Sequence, residues 1–257
     1  MEKIFDMYAR YYDLLYKDKN YTEEAEYIQK FIAKYNPSAK NILDLGCGTG
    51  KHDFLFAEMG YEVTGVELSE KMVKSANKIL DQKKIYNLNL KFFQGDIRNT
   101  QLSEKFDVVV SLFHVMSYLN SNEDLINTLR TVKQHLKKDG IFLFDFWYGP
   151  AVLSQRPEDR VKKLEDDDLH IRRSATPVLH INQNTVDVNY RVSITEKVSN
   201  STSEFKEKHS MRYLFIPEIN FLLDKAGLEL IVFEEWMTGK IPDENSWSVF
   251  AAVRNKN

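Results

Sequence analysis

The sequence predicts an α/β fold in which a doubly wound, mostly parallel sheet is interrupted by an antiparallel β insertion. Three observations predict it. Short apolar runs alternate with amphipathic helical stretches from 41 to 146, the pattern of βαβ units and a parallel sheet. The first strand-to-helix junction holds Asp44-Leu45-Gly46-Cys47-Gly48-Thr49-Gly50. After Pro150 the period changes to alternating apolar and polar residues, as in antiparallel strands.

Taken in order, residues 4–35 read as two helices. Tyr8, Tyr11, Tyr12, Leu15 and Tyr16, then Ala25, Ile28, Phe31 and Ile32, recur at helical spacing, and Thr22-Glu23-Glu24 reads as a helix start. Asn41–Leu45 is the first strand, 51–59 a helix stopping at Gly60, and Glu62–Val66 the second strand. Ser69 caps a helix running to about Leu80, and Leu90–Phe93 is the third strand. Phe106–Leu112 is apolar throughout, like a strand buried on both faces. Asn122–Lys137 is helical with Gly140 placed as a C′ glycine, and Ile141–Phe146 is the fifth strand. In the next region 158–168 is charge-rich, while Leu169–Arg173, Val186–Val192 and His209–Phe215 alternate, with turn-like stretches at His180–Asn184 and Ser199–Ser203. Pro217–Ala226 is helical and ended by Gly227, and the strands Leu228–Trp236 and Ser248–Arg254 follow. The expected organisation is one domain of residues 1–150 and 216–257, with an insertion at 151–215 for substrate or homodimer contacts.

Composition narrows the function classes. A chain of 257 residues can bury a full α/β core with a small insertion. With 43% hydrophobic and 28% charged residues it resembles ordinary soluble domains, and a net charge of −3 argues against a nucleic-acid partner. The lone Cys47 excludes a disulfide framework and a cysteine-built zinc site. The charged N-terminus is not a signal peptide, and no run approaches the ~18 apolar residues of a membrane span, so the expected location is cytoplasmic with no membrane partner. The run Glu165-Asp166-Asp167-Asp168 reads as a solvated loop, and no metal is expected.

The glycine cluster carries the strongest chemical signal. Its spacing is G-x-G-x-G, not the G-x-G-x-x-G of dinucleotide sites, which disfavours a nicotinamide-dependent oxidoreductase. Gly46, Gly48 and Gly50 let the backbone turn tightly and approach an uncharged adenosine with a methionyl tail. Glu67 ends the second strand, 17 positions after Gly50, where an acid can accept hydrogen bonds from both ribose hydroxyls. Asp96, after the third strand, is placed to accept from the purine amine, with Ile97 packing on the ring face; the alternative for Asp96 is an Asx-turn.

Read in series, LDLGCGTG, Glu67, GDI and FDVVVSL resemble the successive motifs of class I S-adenosylmethionine-dependent methyltransferases. The resemblance implies a seven-stranded Rossmann-like sheet with an antiparallel last strand and S-adenosyl-L-methionine as cofactor. It implies that Asp44 helps hold the cofactor end through the Gly46-Cys47-Gly48 loop and that Leu112 lies at the methyl-transfer mouth. The stretches YYDLLYKDKNY, LFHVMSYL and FDFWYGP also resemble bacterial sugar-nucleotide methyltransferases, among them N-methyltransferases of dTDP-linked amino sugars. By that likeness Tyr16 and Tyr118 face the substrate amine. Tyr118 stands where several such enzymes carry a histidine, which leaves the general base open.

Around the acceptor, Tyr12, Tyr16 and Tyr21 are expected as lid residues. His114 and Tyr118 follow the fourth strand, at the sheet edge where parallel strands open onto ligands. Trp147 and Tyr148 follow the fifth strand and could stack on a base or sugar. Among the insertion arginines (Arg172, Arg173, Arg191, Arg212), Arg212 is the expected diphosphate contact. Tyrosines rather than a strong base stand out here, which favours methylation of the amino group of a nucleotide-linked deoxyamino sugar. Methylation of a hydroxyl with His114 as base, or cofactor binding without catalysis, are the alternatives.

Overall fold

The computed structural model describes residues 14–82 and 88–256. Tyr8, Tyr11 and Tyr12 therefore lie outside the described residues. The chain divides into two compact units, one holding residues 21–155 and 212–257, the other residues 156–211 together with the segment that ends at Asn20.

The larger unit contains the doubly wound sheet. Helix α1 (Tyr21–Tyr35) has Glu23 and Glu24 in its first turn and buries Ala25, Ile28, Phe31 and Ile32. Then come β1 (Asn41–Leu45), α2 (Lys51–Glu58), β2 (Glu62–Glu67), α3 (Glu70–Gln82), β3 (Leu90–Gln94) and β4 (Phe106–Ser111). Ser69 Oγ accepts from Met72 N–H at 3.4 Å, capping α3. Helix α4 (Asn122–His135) starts where Ser121 Oγ accepts from Asp124 N–H at 3.0 Å, and it runs directly into β5 (Leu136–Tyr148). Pro150 sits in the first turn of α5 (Gly149–Gln155), where its missing N–H costs nothing.

β1 pairs in parallel with β2 on one side and β4 on the other, β2 with β3, and β4 with β5. The antiparallel β11 (Ser248–Asn255) lies between β5 and β10 (Leu228–Glu235). The order β3-β2-β1-β4-β5-β11-β10 makes seven strands with the last in sequence antiparallel, as the resemblance implied. The order reverses between β1 and β4, and at such a switch point the carboxyl ends of neighbouring strands part to form a crevice. Gly140 departs from expectation. It lies inside β5, with no left-handed φ, because the last turn of α4 passes straight into strand at Leu136.

In the smaller unit β6 (Arg160–Glu165), β7 (Leu169–His180) and β8 (Thr185–Glu196) pair antiparallel. β9 begins at Thr202 in this unit and ends at Leu214 in the larger one, where Tyr213 and Leu214 pair with Trp147 and Tyr148. The charge-rich stretch 158–168 holds the strand β6, with Asp166, Asp167 and Asp168 in the loop that follows it, and β7 continues past Pro177 to His180. Residues 14–20, expected in the cofactor domain, group with the insertion. Leu15 accounts for this: it is buried with Leu169, Ile171, Val192 and Ile194, and its carbonyl accepts from Lys162 Nζ at 3.0 Å. No helix among the described residues is long and apolar enough to cross a membrane.

At the return to the larger unit Arg212 is buried, with Nη2 bonded to Asn122 Oδ1 at 2.5 Å and paired with Glu218 of α6 (Ile216–Ala226). Glu218 also accepts the Phe215 N–H at 3.4 Å, so the Arg212–Glu218 pair joins β9, α4 and the start of α6. Glu218→Leu leaves a buried guanidinium without its counter-charge and should lower unfolding free energy by about 3 kcal/mol. Urea melts of the two proteins check this, with an unchanged midpoint counting against it.

Candidate active site

The loop after β1 begins with a close approach of its backbone to the Val115 side chain. Gly46, Gly48 and Gly50 all have left-handed φ, at 96°, 58° and 76°. The need is clearest at Gly46, where a Cβ would sit 2.6 Å from Val115 Cγ1 in the turn after β4. Gly46 N–H and Cys47 N–H both point back to Val66 O, at 2.8 and 3.2 Å. Glu67, ending β2, accepts Gly48 N–H through Oε2 at 3.1 Å and Ser69 N–H through Oε1 at 2.8 Å. Its carboxylate therefore clamps the loop with one lone pair on each oxygen and keeps the others for a ligand. Leu68, the next residue, is 62% exposed and lays an apolar surface beside this acid.

Beneath the loop lie two buried carboxyls. Asp44 pairs in register with Gly65 of β2, and a Cβ on Gly65 would come within 2.8 Å of both Asp53 Oδ2 and Cys47 Sγ. Both Asp53 oxygens and Asp44 Oδ1 are buried and meet no N–H or O–H donor. Burial, then the neighbouring Asp53 carboxyl, pushes Asp44 well above the usual carboxylate range. Burial raises Asp53 to about 7, with Asp44 and Cys47 opposing the rise. Burial and the same carboxyls push the Cys47 thiol up, so it is held neutral, the reverse of an activated nucleophile.

Asp96 sits in the Asx-turn that was the alternative reading, with Arg98 N–H bonded to Oδ1 at 3.0 Å. The Arg98 guanidinium grips both Asp96 oxygens and reaches Asp124 at 2.8 Å, holding Asp96 below the ordinary range. Ile97 packs against the core. Leu112 is buried at the end of β4.

The turn after β4 is the second wall of the crevice. Phe113 and His114 take successive left-handed conformations, φ 66° and 63°, before a 3₁₀ turn at Val115–Tyr118. His114 N–H donates to Asp145 Oδ1 at 3.1 Å, and its Nδ1 lies 2.6 Å from Asp145 Oδ2 but off the N–H direction. Ser117 Oγ accepts Trp147 N–H at 2.9 Å, and the Trp147 ring meets Trp247 edge-on at 5.5 Å. Tyr118 is 47% exposed at the end of the turn. Asp145 and Trp247 were not foreseen; each lies far along the chain from the groups it joins.

Other expected site residues are placed differently. Tyr148 packs edge-on against Phe233 at 5.6 Å, and burial raises its phenol. Tyr21 lies edge-on to His52 at 5.0 Å, and His52 Nε2 is 2.8 Å from Glu24. Arg212 has its guanidinium in the Glu218 pair rather than at the crevice. Tyr16 belongs to the smaller unit, where burial raises its phenol and Arg173 opposes the rise.

The Asp44–Asp53 pair has a measurable consequence in the ligand-free protein. The folded carboxyls hold protons that the unfolded chain releases near pH ~4, so this contribution to stability fades as pH rises from about 4 through about 7. Asp53→Asn cannot ionise. Its thermal midpoint should gain on wild type as pH climbs through that window, and a difference independent of pH would contradict the shared burial.

A family model described as a methyltransferase domain matches residues 36–205. The chain is 28% identical over 91% of its length, and 94% of the relative's, to dTDP-3-amino-3,4,6-trideoxy-alpha-D-glucopyranose N,N-dimethyltransferase of Streptomyces venezuelae. It is 29% identical to the putative methyltransferase YqeM of Bacillus subtilis, over 88% of this chain and 87% of that one. A crystal structure of an S-adenosylmethionine-dependent methyltransferase from Clostridium acetobutylicum superposes with a TM-score of 0.81 at 22% identity, covering 99% of this chain and 100% of the other. The glycine loop, the strand-ending acid and the sheet order thus meet in one conclusion: the chain belongs to the methyltransferase domain family and is an S-adenosylmethionine-dependent methyltransferase.

Proposed function

We propose that the protein methylates the amino group of a nucleotide-linked deoxyamino sugar. The observation that carries this reading is the nearly end-to-end correspondence with the Streptomyces venezuelae sugar N,N-dimethyltransferase. The cofactor is assigned to the loop of Gly46, Cys47, Gly48 and Gly50. Glu67 would take the ribose hydroxyls on its remaining lone pairs, with Leu68 and Ile97 flanking the purine and Asp96 accepting from its amine. The buried, unpartnered Asp44 Oδ1 next to the loop fits a ligand carrying an ammonium group. Bound there, S-adenosylmethionine supplies a methyl group on a positively charged sulfur with a neutral leaving group.

The acceptor side is assigned to the turn after β4, with Leu112 beneath it. Tyr118 would orient the acceptor amine by accepting its hydrogen, since a phenol near pKa ~10 is a poor base at neutral pH. Trp147 and Trp247 supply an apolar wall for the sugar. A hydroxyl acceptor is the second reading, which the contact of His114 with a buried carboxylate would serve equally well. Methyl transfer from labelled cofactor to a panel of amino and hydroxy sugar nucleotides separates the two; methylation of hydroxyls alone would refute the amine assignment.

Three further outcomes are expected. Calorimetry should show S-adenosylmethionine binding at micromolar affinity and NAD not binding. Glu67→Ala should weaken the cofactor by about 2 kcal/mol, because it removes a charged acceptor and frees the loop. Tyr118→Phe should lower kcat roughly tenfold, about 1.4 kcal/mol of transition-state stabilisation, without abolishing turnover; complete loss in steady-state assays would assign the phenol a larger role.

A further inference from the structure

We propose that His114 and Asp145 form the proton-accepting pair of the reaction, with Asp145 a positioning residue that acts through His114. The proposal rests on the reading of the protein as a sugar-amine methyltransferase. It begins from backbone strain. Phe113 and His114 are consecutive non-glycine residues in the left-handed region, each costing on the order of 1–3 kcal/mol, and strain of this kind persists where surrounding contacts enforce it. The enforcing contact is visible: His114 N–H donates to Asp145, 3.1 Å from Oδ1 and 3.2 Å from Oδ2.

That backbone bond aims the imidazole. Nδ1 comes to 2.6 Å from Asp145 Oδ2, and the carboxylate is only 2% exposed. A small ring rotation brings the Nδ1–H onto the oxygen, the tightening that catalytic hydrogen bonds undergo when a ligand arrives. With Nδ1 facing Asp145, Nε2 is the ring nitrogen turned away from it, on a side chain that is 23% exposed. The Trp147 ring stands 6.4 Å away, edge-on. The next residue, Val115, is the one whose side chain fills the space above Gly46. The pair is therefore fixed against the cofactor loop, at the mouth between β1 and β4.

The chemistry needs such a group. An aliphatic amine is largely protonated at neutral pH and cannot attack until a proton leaves. Nε2 takes that proton from the acceptor ammonium and frees the nitrogen lone pair. The lone pair forms the new N–C bond to the methyl while the C–S bond breaks and its electrons stay on sulfur. The imidazolium, stabilised by Asp145, then gives its proton to solvent. A second methylation repeats the same proton removal from the methylated ammonium. Tyr118 orients the acceptor; it does not take the proton.

The test uses His114→Gly, which relieves the left-handed strain and leaves a space for imidazole, and Asp145→Asn, whose amide oxygen can still accept the His114 N–H. His114→Gly should lower kcat about 100-fold with cofactor affinity unchanged by calorimetry, and added imidazole should restore about tenfold. Asp145→Asn should lower kcat about tenfold with the acceptor KM nearly unchanged. Independently of turnover, ¹⁵N spectra of the ligand-free wild type should show His114 with a proton on Nδ1 and a bare Nε2, and Asp145→Asn should lose this single tautomer. Undiminished kcat in His114→Gly, a loss that imidazole does not restore, or a bare Nδ1 in the wild type overturns the pair. If the wild type methylates only hydroxyls and the variants behave as expected, the sugar-amine reading falls and the pair stands. Amine methylation that ignores both substitutions gives the reverse, and no transfer to any acceptor overturns both.

Discussion

The carboxyl edge of the sheet depends on how closely the backbone at Gly46 approaches Val115. β1 and β4 are parallel neighbours, so the loops that leave them start side by side at one edge. With a hydrogen at Gly46 in place of a Cβ, the two loops pack in contact and the crevice between them has a fixed shape. Glu67 holds the other flank by accepting Gly48 N–H, so loop, strand end and turn form one rigid rim. Rigidity here matters chemically. A displacement on a methyl group gains most of its acceleration from holding nucleophile and electrophile in line about 3 to 3.5 Å apart.

The same close packing explains the buried acids. Gly65 gives Asp53 and Cys47 room to lie against β2 opposite Asp44. Water is excluded there, and carboxyls without donors hold protons instead of charge. The fold tolerates this cost beside its glycine loop. Buried, imperfectly satisfied polar groups of this kind are retained where a ligand supplies the missing partner. Other buried polar groups find partners within the protein. His135 bridges Thr131 O and Leu102 N–H, and Arg212 meets Glu218 and Asn122.

Division of labour between the two loops follows from their surroundings. The loop after β1 brings together glycines that admit a close approach and the carboxylate of Glu67, with its own N–H groups at Gly46, Cys47, Gly48 and Gly50 bonded inward. The turn after β4 presents aromatic rings and an imidazole backed by a carboxylate. Both surfaces belong to one compact unit, so this division is built by the sheet itself.

The sequence by itself determined whatever is encoded over a few consecutive residues. The glycine spacing at 46–50, the acid at Glu67, the apolar strands β1 to β5 and the final antiparallel strand are local patterns, and a local pattern survives whatever packs against it. Elements whose character depends on a partner were not legible. β6 is not legible within its charged stretch because an edge strand is recognisable only by its neighbour β7. Gly140 reads as a helix end because its place in β5 is set by pairing with β4 and β11. Arg212 looks like a ligand contact until Glu218 is seen beside it, and nothing local marks Asp53 as the acid that is buried against Gly65. Only the tertiary structure decided that Asp145 lies against His114. The two residues are 31 positions apart, and parallel strands joined by a helix bring them to the same edge, where a hydrogen bond from the turn after β4 to the neighbouring strand β5 leaves no mark in either segment.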